Sequence, residues 1–278
     1  MEVALLAERL RVEERFLIEA FAARGHRAVI VPPSHVQLSL THPNPVSWQL
    51  ALLRSPASVE TSALVALLAA GGSNVINRPA TARLLSERLA LLRHLVCGGI
   101  PVPDTAVSFG EEATFAAIEQ IGYPVLLKAL TVHPTMPIAL VEDRDAAEAI
   151  VEHRMMLGGE RAVLVQRFAG SQGRSERLTV VGRRLIGVES REHSGWRPGR
   201  EAEYAPYDGD TAAHEALAQR LIERLGSGTY SIEVVESQDG IRVVGAENLS
   251  DFRSLQERGV DVAGAIADFA LAQQNEEA

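Results

Sequence analysis

The chain has 278 residues, 46% hydrophobic and 23% charged, which is the composition of a globular protein with enough residues for two or three cores. Its net charge of −9 at pH 7 argues against a nucleic-acid partner, because nucleic-acid binders present a basic surface. The single cysteine fits a reducing, cytoplasmic location and excludes a disulfide framework, and no apolar stretch reaches the ~18 residues of a membrane span, so we expect no membrane partner.

The first third of the chain predicts a parallel sheet covered by helices. VALLA is typical of a short buried strand, and apolar residues at helical spacing follow it from Phe16 to Phe21. RAVIVPP predicts a second strand, so the chain opens with a βαβ unit, which implies parallel strands. A helix over SALVALLAAGG and a strand over SNVINRP complete an N-terminal domain that we predict over residues 1–80.

The remaining chain predicts two α+β segments, over residues 81–165 and 166–278. The first opens with one long amphipathic helix, TARLLSERLALLRHLVCGG, and then alternates strands such as YPVLLKAL and RAVLVQRF with helices. Asp143 is the predicted N-cap of the second of these helices. The last segment contains the strands ERLTVVG, RRLIGVES, GTYSIEVVES and IRVVGAEN, and Asp239-Gly240 predicts a hairpin turn between the last two.

Several stretches resemble the RimK-type ATP-grasp ligases in order and spacing: VINRP, GGIPVPDTAV, YPVLLK, VEDRDAAEAIVEH, MLGG, LTVVG and DFRS. The resemblance is strongest to the lysine-biosynthesis branch, which joins α-aminoadipate or glutamate to a small acidic amino-group carrier protein. It implies an α/β (α+β) fold, in which an N-terminal parallel α/β (pre-ATP-grasp) domain precedes two α+β subdomains that grip a nucleotide.

The same resemblance implies a chemistry and a set of partners. ATP and Mg²⁺ are the implied cofactors, and ATP converts a carboxylate into an acyl phosphate that an amine attacks. The implied partners are an amino-acid substrate, a carrier protein, and further subunits, either identical or from an ATP-grasp paralogue.

Lys128 ends the apolar strand YPVLLK, where the family has its ATP-phosphate lysine. The pattern alone is more typical of a lysine that extends from a strand end into water. Arg88 stands at the family's first ATP-binding lysine, and a solvated helix face explains it equally well. The resemblance places Gln166, Arg167 and Phe168 in the hinge that lines the adenine pocket, with Arg167 in place of an acidic residue near the ribose.

Two further groups of residues are implied by the resemblance. Arg177 and Arg191 would be catalytic, facing phosphate and substrate. Contacts to the acidic substrate are implied at Arg200, Asp251, Phe252 and Arg253.

The implied magnesium site is incomplete. Glu233 replaces the family's metal-binding aspartate, and Asn248 would be its partner because Ala246 replaces the glutamate of the Glu-x-Asn pair. Glu247 is adjacent, but strand alternation predicts that it projects to the opposite face from the metal. One glutamate and one asparagine make a weak site for Mg²⁺, which prefers octahedral oxygen ligands.

The segment Thr131 to Pro137 departs most from the family, because it has no glycine where a Gly-rich loop covers the phosphates. Two hypotheses follow. The chain is either an active ATP-dependent carboxylate–amine ligase, or a catalytically degenerate relative that acts as a binding or assembly module beside an active one. Loss of the loop and of one metal carboxylate predicts weak or absent binding of Mg·ATP.

Overall fold

Three sheets and their helices form the part of the chain that the computed structural model describes, which is residues 1–41, 48–132, 138–156, 162–169, 173–192, 195–196, 203–249 and 251–276. The first sheet is parallel, and the other two are antiparallel. Within these residues, no helix combines the length and apolar character needed to cross a membrane.

The N-terminal sheet has the strand order β2-β1-β3-β4, and all neighbouring strands are parallel. Its elements are β1 (Glu2–Leu6), α1 (Val12–Ala22), β2 (Arg27–Val31), β3 (Leu50–Leu53), α2 (Val59–Ala70) and β4 (Asn74–Ile76). All four residues from Val3 to Leu6 are fully buried, as expected for a parallel strand covered on both faces. The predicted βαβ opening is confirmed.

Two helices follow the first sheet, so the prediction of one continuous helix is wrong. They are α3 (Pro79–Ser86) and α4 (Arg88–Cys97), and Glu87 between them has extended backbone. Residues of the central segment form hydrogen bonds with the backbone at the break. Val132 N–H donates to the Ser86 carbonyl, and Leu89 N–H donates to the Leu130 carbonyl. The break is therefore stabilised by distant residues.

The central sheet has the order β5-β8-β6-β7. Its elements are β5 (Thr105–Phe109), α5 (Glu111–Ile121), β6 (Val125–Lys128), β7 (Ala139–Val141), α6 (Arg144–Met156) and β8 (Ala162–Arg167). Ile118 on α5 and Val151 on α6 pack against Val125 and Val165 of the sheet. Ala146 N–H donates to Asp143 Oδ1 at 2.8 Å, which confirms the predicted helix cap.

The C-terminal sheet has the order β11-β10-β9-β12-β13. Its elements are β9 (Arg174–Gly182), β10 (Arg184–Glu192), β11 (Ala205–Pro206), α7 (Ala212–Leu225), β12 (Gly228–Ser237) and β13 (Gly240–Asn248). The predicted hairpin is confirmed, since β12 and β13 are antiparallel and Gly240 after the turn has φ of 97°, which favours glycine.

Helices pack across the predicted domain boundaries in two places. Leu91 of α4 packs in one core with Val180 of β9 and Leu221 of α7. The last helices, α8 (Arg253–Glu257) and α9 (Val262–Glu276), follow the C-terminal sheet, but Ile266 of α9 lies in the core around Val3. The division at residues 80 and 165 remains a prediction, and the ends of the chain are joined by packing.

Asn77 connects the N-terminal and C-terminal sheets. It is fully buried, its Nδ2 donates to the Thr229 carbonyl at 2.9 Å and to Asn248 Oδ1 at 3.1 Å, and its Oδ1 accepts from Thr229 N–H at 2.6 Å. Gly228 lacks the Cβ that would collide with this amide. The side chain therefore satisfies backbone groups that would otherwise be buried without partners.

We expect Asn77→Ala to lower the free energy of unfolding by about 2–4 kcal/mol, since each buried group left unpaired costs about 1–3 kcal/mol. Urea denaturation measures the change. Asn74→Ala is the matched control, because Asn74 is also buried and its Nδ2 has no partner in the described part of the chain. Equal losses in the two variants would contradict the role given to Asn77.

Candidate functional site

A cavity of about 500 Å³ opens between the central and C-terminal sheets. Lys128 and Gln166 line it from the central sheet, Arg88 from α4, and Glu233 and Glu247 from the C-terminal sheet. This volume lies in the usual range for small-molecule sites. Several predicted site residues from distant parts of the sequence therefore meet in one cleft.

Lys128 is the only lysine in the sequence, and it is buried at this cleft. Its Nζ donates to Gln166 Oε1 at 2.7 Å, and Gln166 Nε2 donates to Thr105 Oγ1 at 2.9 Å. Within the described residues, no carboxylate lies within salt-bridge distance of the ammonium group. Burial, and then the charge of Arg88, lower the pKa of Lys128 to about 8. A buried cation next to a neutral amide is costly unless an anion binds there.

Because this is the only lysine, incorporation of [ε-¹³C]lysine gives one NMR signal that reports the pKa of Lys128 directly. We predict a titration midpoint near 8 for the folded protein without ligands, well below the 10.5 of an unperturbed lysine. A midpoint near 10.5 would show that the ammonium group is solvated and would contradict the burial.

The lowered pKa also fixes the sign of a pH effect on stability. The unfolded chain holds the Lys128 proton up to about 10.5 and the folded chain only to about 8, so this group makes folding more favourable as pH rises between them. We expect Lys128→Met to be more stable than the wild type at pH 7, with the difference in free energy of unfolding narrowing as pH is raised above 8. A difference in free energy of unfolding between the two proteins that stays constant above pH 8 would contradict this prediction.

Arg88 lies at the start of α4, directly after the helix break, and faces the end of β6. Its Nη1 donates to the carbonyls of Ala129 and Thr131. Thr131 and Val132 begin the glycine-free segment, whose residues 133–137 lie outside the described part of the chain. Arg88 and Lys128 thus place two cationic side chains at one end of the cleft.

The predicted hinge residues Gln166, Arg167 and Phe168 all line the cleft. Arg167 Nε donates to Asp104 Oδ2 at 3.1 Å, an exposed pair, and Phe168 N–H donates to the Pro124 carbonyl at 3.0 Å. The Arg167 charge is therefore balanced outside the cleft, and Phe168 contributes an apolar wall.

Glu233 and Glu247 lie on the same face of the C-terminal sheet, contrary to the prediction from strand alternation. Glu233 pairs with Gly245, Glu247 pairs with Ser231, and the register shifts between Glu233 and Val234. Val244 is the extra residue of this β-bulge, and one extra residue moves every later side chain of the strand to the other face.

Asn248 consequently faces the core and not Glu233. It is fully buried, its Oδ1 accepts from Asn77, and its Nδ2 donates to the Ser55 carbonyl at 3.2 Å. Its metal-binding role stays a prediction from the resemblance, and the structure does not bring it together with Glu233. The glycine at 245 is the sequence signal for the bulge, because glycine inside a strand often marks one.

Two carboxylates at the cleft, Glu233 and Glu247, offer oxygen ligands to a metal. Burial, and then the charge of Glu233, raise the pKa of Glu247, so the pair lies close enough for mutual repulsion. The described ranges contain no group of three or more His, Cys, Asp or Glu that could hold an ion. Mg²⁺ is commonly held by one or two carboxylates together with substrate phosphates, so this pair fits a nucleotide-bound Mg²⁺.

Arg177 and Arg191 lie beside the carboxylates on the same face. Arg191 Nη2 donates to Glu233 Oε1 at 2.9 Å. Arg177 pairs across strands with both Glu189 and Glu233, and its side chain is only 5% exposed, against 18% for Arg191. Both predicted catalytic arginines therefore line the cleft, and Arg191 is the more accessible.

Three of the four predicted substrate residues, Asp251, Phe252 and Arg253, lie elsewhere. Asp251 Oδ2 accepts from Arg177 Nη1 at 3.1 Å. Phe252 is fully buried, with the Arg54 guanidinium 5.1 Å from its ring centre, and Arg253 is exposed and paired with Glu257. Within the described residues, none of these three lines the cleft. Arg200 is not among the residues that the structure describes. Tyr204 does line the cleft, and no sequence motif indicated it.

Comparison with known proteins agrees with this architecture. Residues 3–84 match the LysX preATP-grasp domain model, and residues 83–197 match the RimK-like ATP-grasp domain model. The crystal structure of a RimK domain ATP-grasp protein from Sphaerobacter thermophilus is 62% identical, with a TM-score of 0.90 over 97% of this chain and 99% of that one.

Curated relatives are more distant. The glutamate–LysW ligase ArgX of Sulfolobus acidocaldarius is 23% identical over 97% of this chain and 98% of that protein. A probable alpha-L-glutamate ligase of Maridesulfovibrio salexigens is 24% identical over 97% of this chain and 95% of its own length. The predicted resemblance and the ATP-grasp fold are thereby confirmed, and the chain belongs to the RimK-like ATP-grasp ligase family.

Proposed function

We propose that this protein is an ATP- and Mg²⁺-dependent ligase that forms an amide between a carboxylate and an amine. A glutamate-like or α-aminoadipate-like amino acid is one substrate, and a small acidic carrier protein or peptide is the other. The observation that carries the proposal is the arrangement of charges in the cleft. The buried Lys128 and the partly buried Arg88 line the same cavity as a carboxylate pair, Glu233 and Glu247.

The residues present fit a nucleotide with its metal. Lys128 and Arg88 would bind phosphate oxygens, because a buried ammonium next to Gln166 gains most from an anion. Glu233 and Glu247 would hold Mg²⁺, and Phe168 would line the base end of the cleft. Bound Mg·ATP supplies the phosphoryl group that activates the carboxylate.

The arginine pair would act at the other end of the cleft. Arg191 is bound to Glu233, so its guanidinium lies beside the proposed metal ligand and can orient an anionic substrate group there. Arg177 donates to Glu189 and Asp251, which fixes its guanidinium group on this face of the sheet. Arg191 would bind and orient a reacting group, and Arg177 would hold neighbouring side chains in place.

The degenerate alternative rested on two absences, the glycine loop and one metal carboxylate. Glu247 lies beside Glu233 and offers a second carboxylate, which removes one of these arguments. The argument from the missing glycine loop depends on residues 131–137, of which 133–137 lie outside the described ranges. Two relatives, from Sulfolobus acidocaldarius and Sulfurisphaera tokodaii, are named glutamate–LysW ligases, which supports a carrier protein as partner here.

The test is ADP release with Mg·ATP, glutamate or α-aminoadipate, and a purified small acidic carrier protein. We expect release to require all components, and Glu233→Gln and Glu247→Gln each to reduce kcat at least ~100-fold. Glu236→Gln is the matched control, since Glu236 lies exposed on the same strand outside the cleft, and it should stay within ~2-fold of the wild type. Full activity of Glu247→Gln, or no ADP release with any combination, would overturn the proposal.

A further inference from the structure

Tyr204 is held over the charged face of the C-terminal sheet by several elements at once. Its carbonyl accepts from Arg258 Nη1 at 3.1 Å, and the next two residues form β11 beside β10. The guanidinium carbons of Arg177 and Arg191 lie 3.6 Å and 4.5 Å from its ring centre. Two cation–π contacts and a strand pairing therefore fix where the ring lies.

The phenol hydroxyl is the polar group that this arrangement leaves unused. Tyr204 is partly buried at the cleft, yet its hydroxyl has no hydrogen-bond partner in the described part of the chain. The hydroxyl is not one of the buried polar atoms without a partner, so it is open to the cleft and available to a ligand. Burial raises the pKa of Tyr204 to about 12, with Arg177 opposing and Glu233 adding to the effect, so the hydroxyl is protonated and can donate at neutral pH.

Arg177 has few donors left for a ligand. Its Nε and Nη2 donate to Glu189 at 3.1 Å and 2.6 Å, and its Nη1 donates to Asp251. Tyr204 covers one face of its guanidinium group at 3.6 Å. With its donors engaged in this way, Arg177 is better suited to position a neighbouring side chain than to contact a substrate.

Tyr204 belongs to the end of the cleft away from the proposed phosphate site. Tyr204 contacts Arg177 and Arg191 of the C-terminal sheet, and Arg191 donates to Glu233. Lys128 instead donates to Gln166 of the central sheet. The Tyr204 ring lies against the Arg191 guanidinium, so a phenol O–H and a guanidinium are two donors on this side of the cleft, and such donors suit a carboxylate.

We propose that Tyr204 is a specificity-determining residue whose hydroxyl donates to a carboxylate oxygen of the amino-acid substrate, and that Arg177 positions its ring. The assignment rests on the proposed ligase function, and it deepens that function by naming the residue that selects the amino acid. It competes with two simpler roles, in which Tyr204 only covers the arginines or contacts the nucleotide phosphates.

Tyr204→Phe and Tyr204→Leu separate these roles through KM, kcat and the thermal midpoint. Phenylalanine keeps the ring and removes the hydroxyl, so we expect KM for the amino acid to rise ~10-fold or more, as for loss of one hydrogen bond to a charged group. KM for ATP and the thermal midpoint should stay unchanged. Leucine should also lower the thermal midpoint. The control is Tyr207→Phe, on the same segment and stacked on Arg174, which should leave all values within ~2-fold.

A double-mutant cycle tests the positioning role of Arg177. We expect Arg177→Lys to raise KM for the amino acid with little change in kcat, and to add nothing further in the Tyr204→Phe background, because the two residues act through one hydroxyl. Independent, additive effects would overturn the positioning role.

The outcomes for Tyr204 are distinguishable from failure of the ligase function. If wild-type protein turns over and Tyr204→Phe matches it, or if only KM for ATP changes, the assignment of Tyr204 is overturned and the ligase function stands. Calorimetry with glutamate, in the presence of a non-hydrolysable ATP analogue, covers the case without turnover. Wild-type binding that weakens ~10-fold in Tyr204→Phe supports the assignment, whereas no wild-type binding of either ligand overturns both proposals.

Discussion

Replacing Lys128 with methionine should move nucleotide binding and protein stability in opposite directions. Lys128 is buried, and its ammonium group has a neutral amide as its partner. Methionine has a similar length and no charge to bury, so we expect the free energy of unfolding at pH 7 to rise by about 1 kcal/mol or more. The Kd for Mg·ATP should rise ~100-fold, since hydrogen bonds to charged groups contribute about 1.5–3 kcal/mol each.

Urea denaturation and calorimetry on the same preparations measure both changes. Arg144→Met is the control, because Arg144 is an exposed cation of α6 that pairs with Glu148, and it should alter neither quantity beyond about 0.5 kcal/mol. Loss of stability in Lys128→Met, with unchanged binding, would identify Lys128 as a structural residue and contradict a role at the phosphates.

The largest loss of stability should follow Glu189→Gln. Glu189 is fully buried, and its carboxylate accepts hydrogen bonds from Arg177, Ser254 and Arg258. Removing its charge leaves the Arg177 guanidinium buried beside a neutral group, and breaking such a pair costs about 3–5 kcal/mol. We expect a loss of this size in urea denaturation.

Glu257→Gln provides the comparison, because Glu257 forms an exposed pair with Arg253 at 2.7 Å. Such surface pairs contribute about 0–1 kcal/mol. If Glu189→Gln were as stable as this control, the buried network would not be holding the face of the sheet that carries Arg177 and Tyr204.

The elements of the fold that depend on local pattern could be predicted from the sequence. The βαβ opening, the hairpin at Asp239-Gly240 and the cap at Asp143 each depend on residues close in the chain, and the structure contains all three. The break at Glu87 could not be predicted in this way, because its backbone groups are satisfied by residues 130 and 132, which lie more than forty positions later.

The candidate site, like the fold, could be predicted only in part from the sequence. The resemblance identified Lys128, Arg88 and Glu233, and these residues line one cleft. It did not identify Glu247 as a ligand, because the face on which a strand residue lies depends on register, and the bulge at Val244 puts Glu247, and not Asn248, on the same face as Glu233. Nor did it identify Tyr204, whose position depends on side chains of Arg177 and Arg191 from two other strands.

Calorimetric titration of the wild-type protein with ATP, in the presence of Mg²⁺, tests most directly whether this cleft is a working nucleotide site. We predict saturable binding with a Kd below ~1 mM, in the usual range for enzyme substrates, and loss of that binding when Mg²⁺ is omitted. Circular dichroism on the same sample establishes that the protein is folded. No heat at millimolar ATP from folded protein would contradict the ligase function and favour the non-catalytic relative.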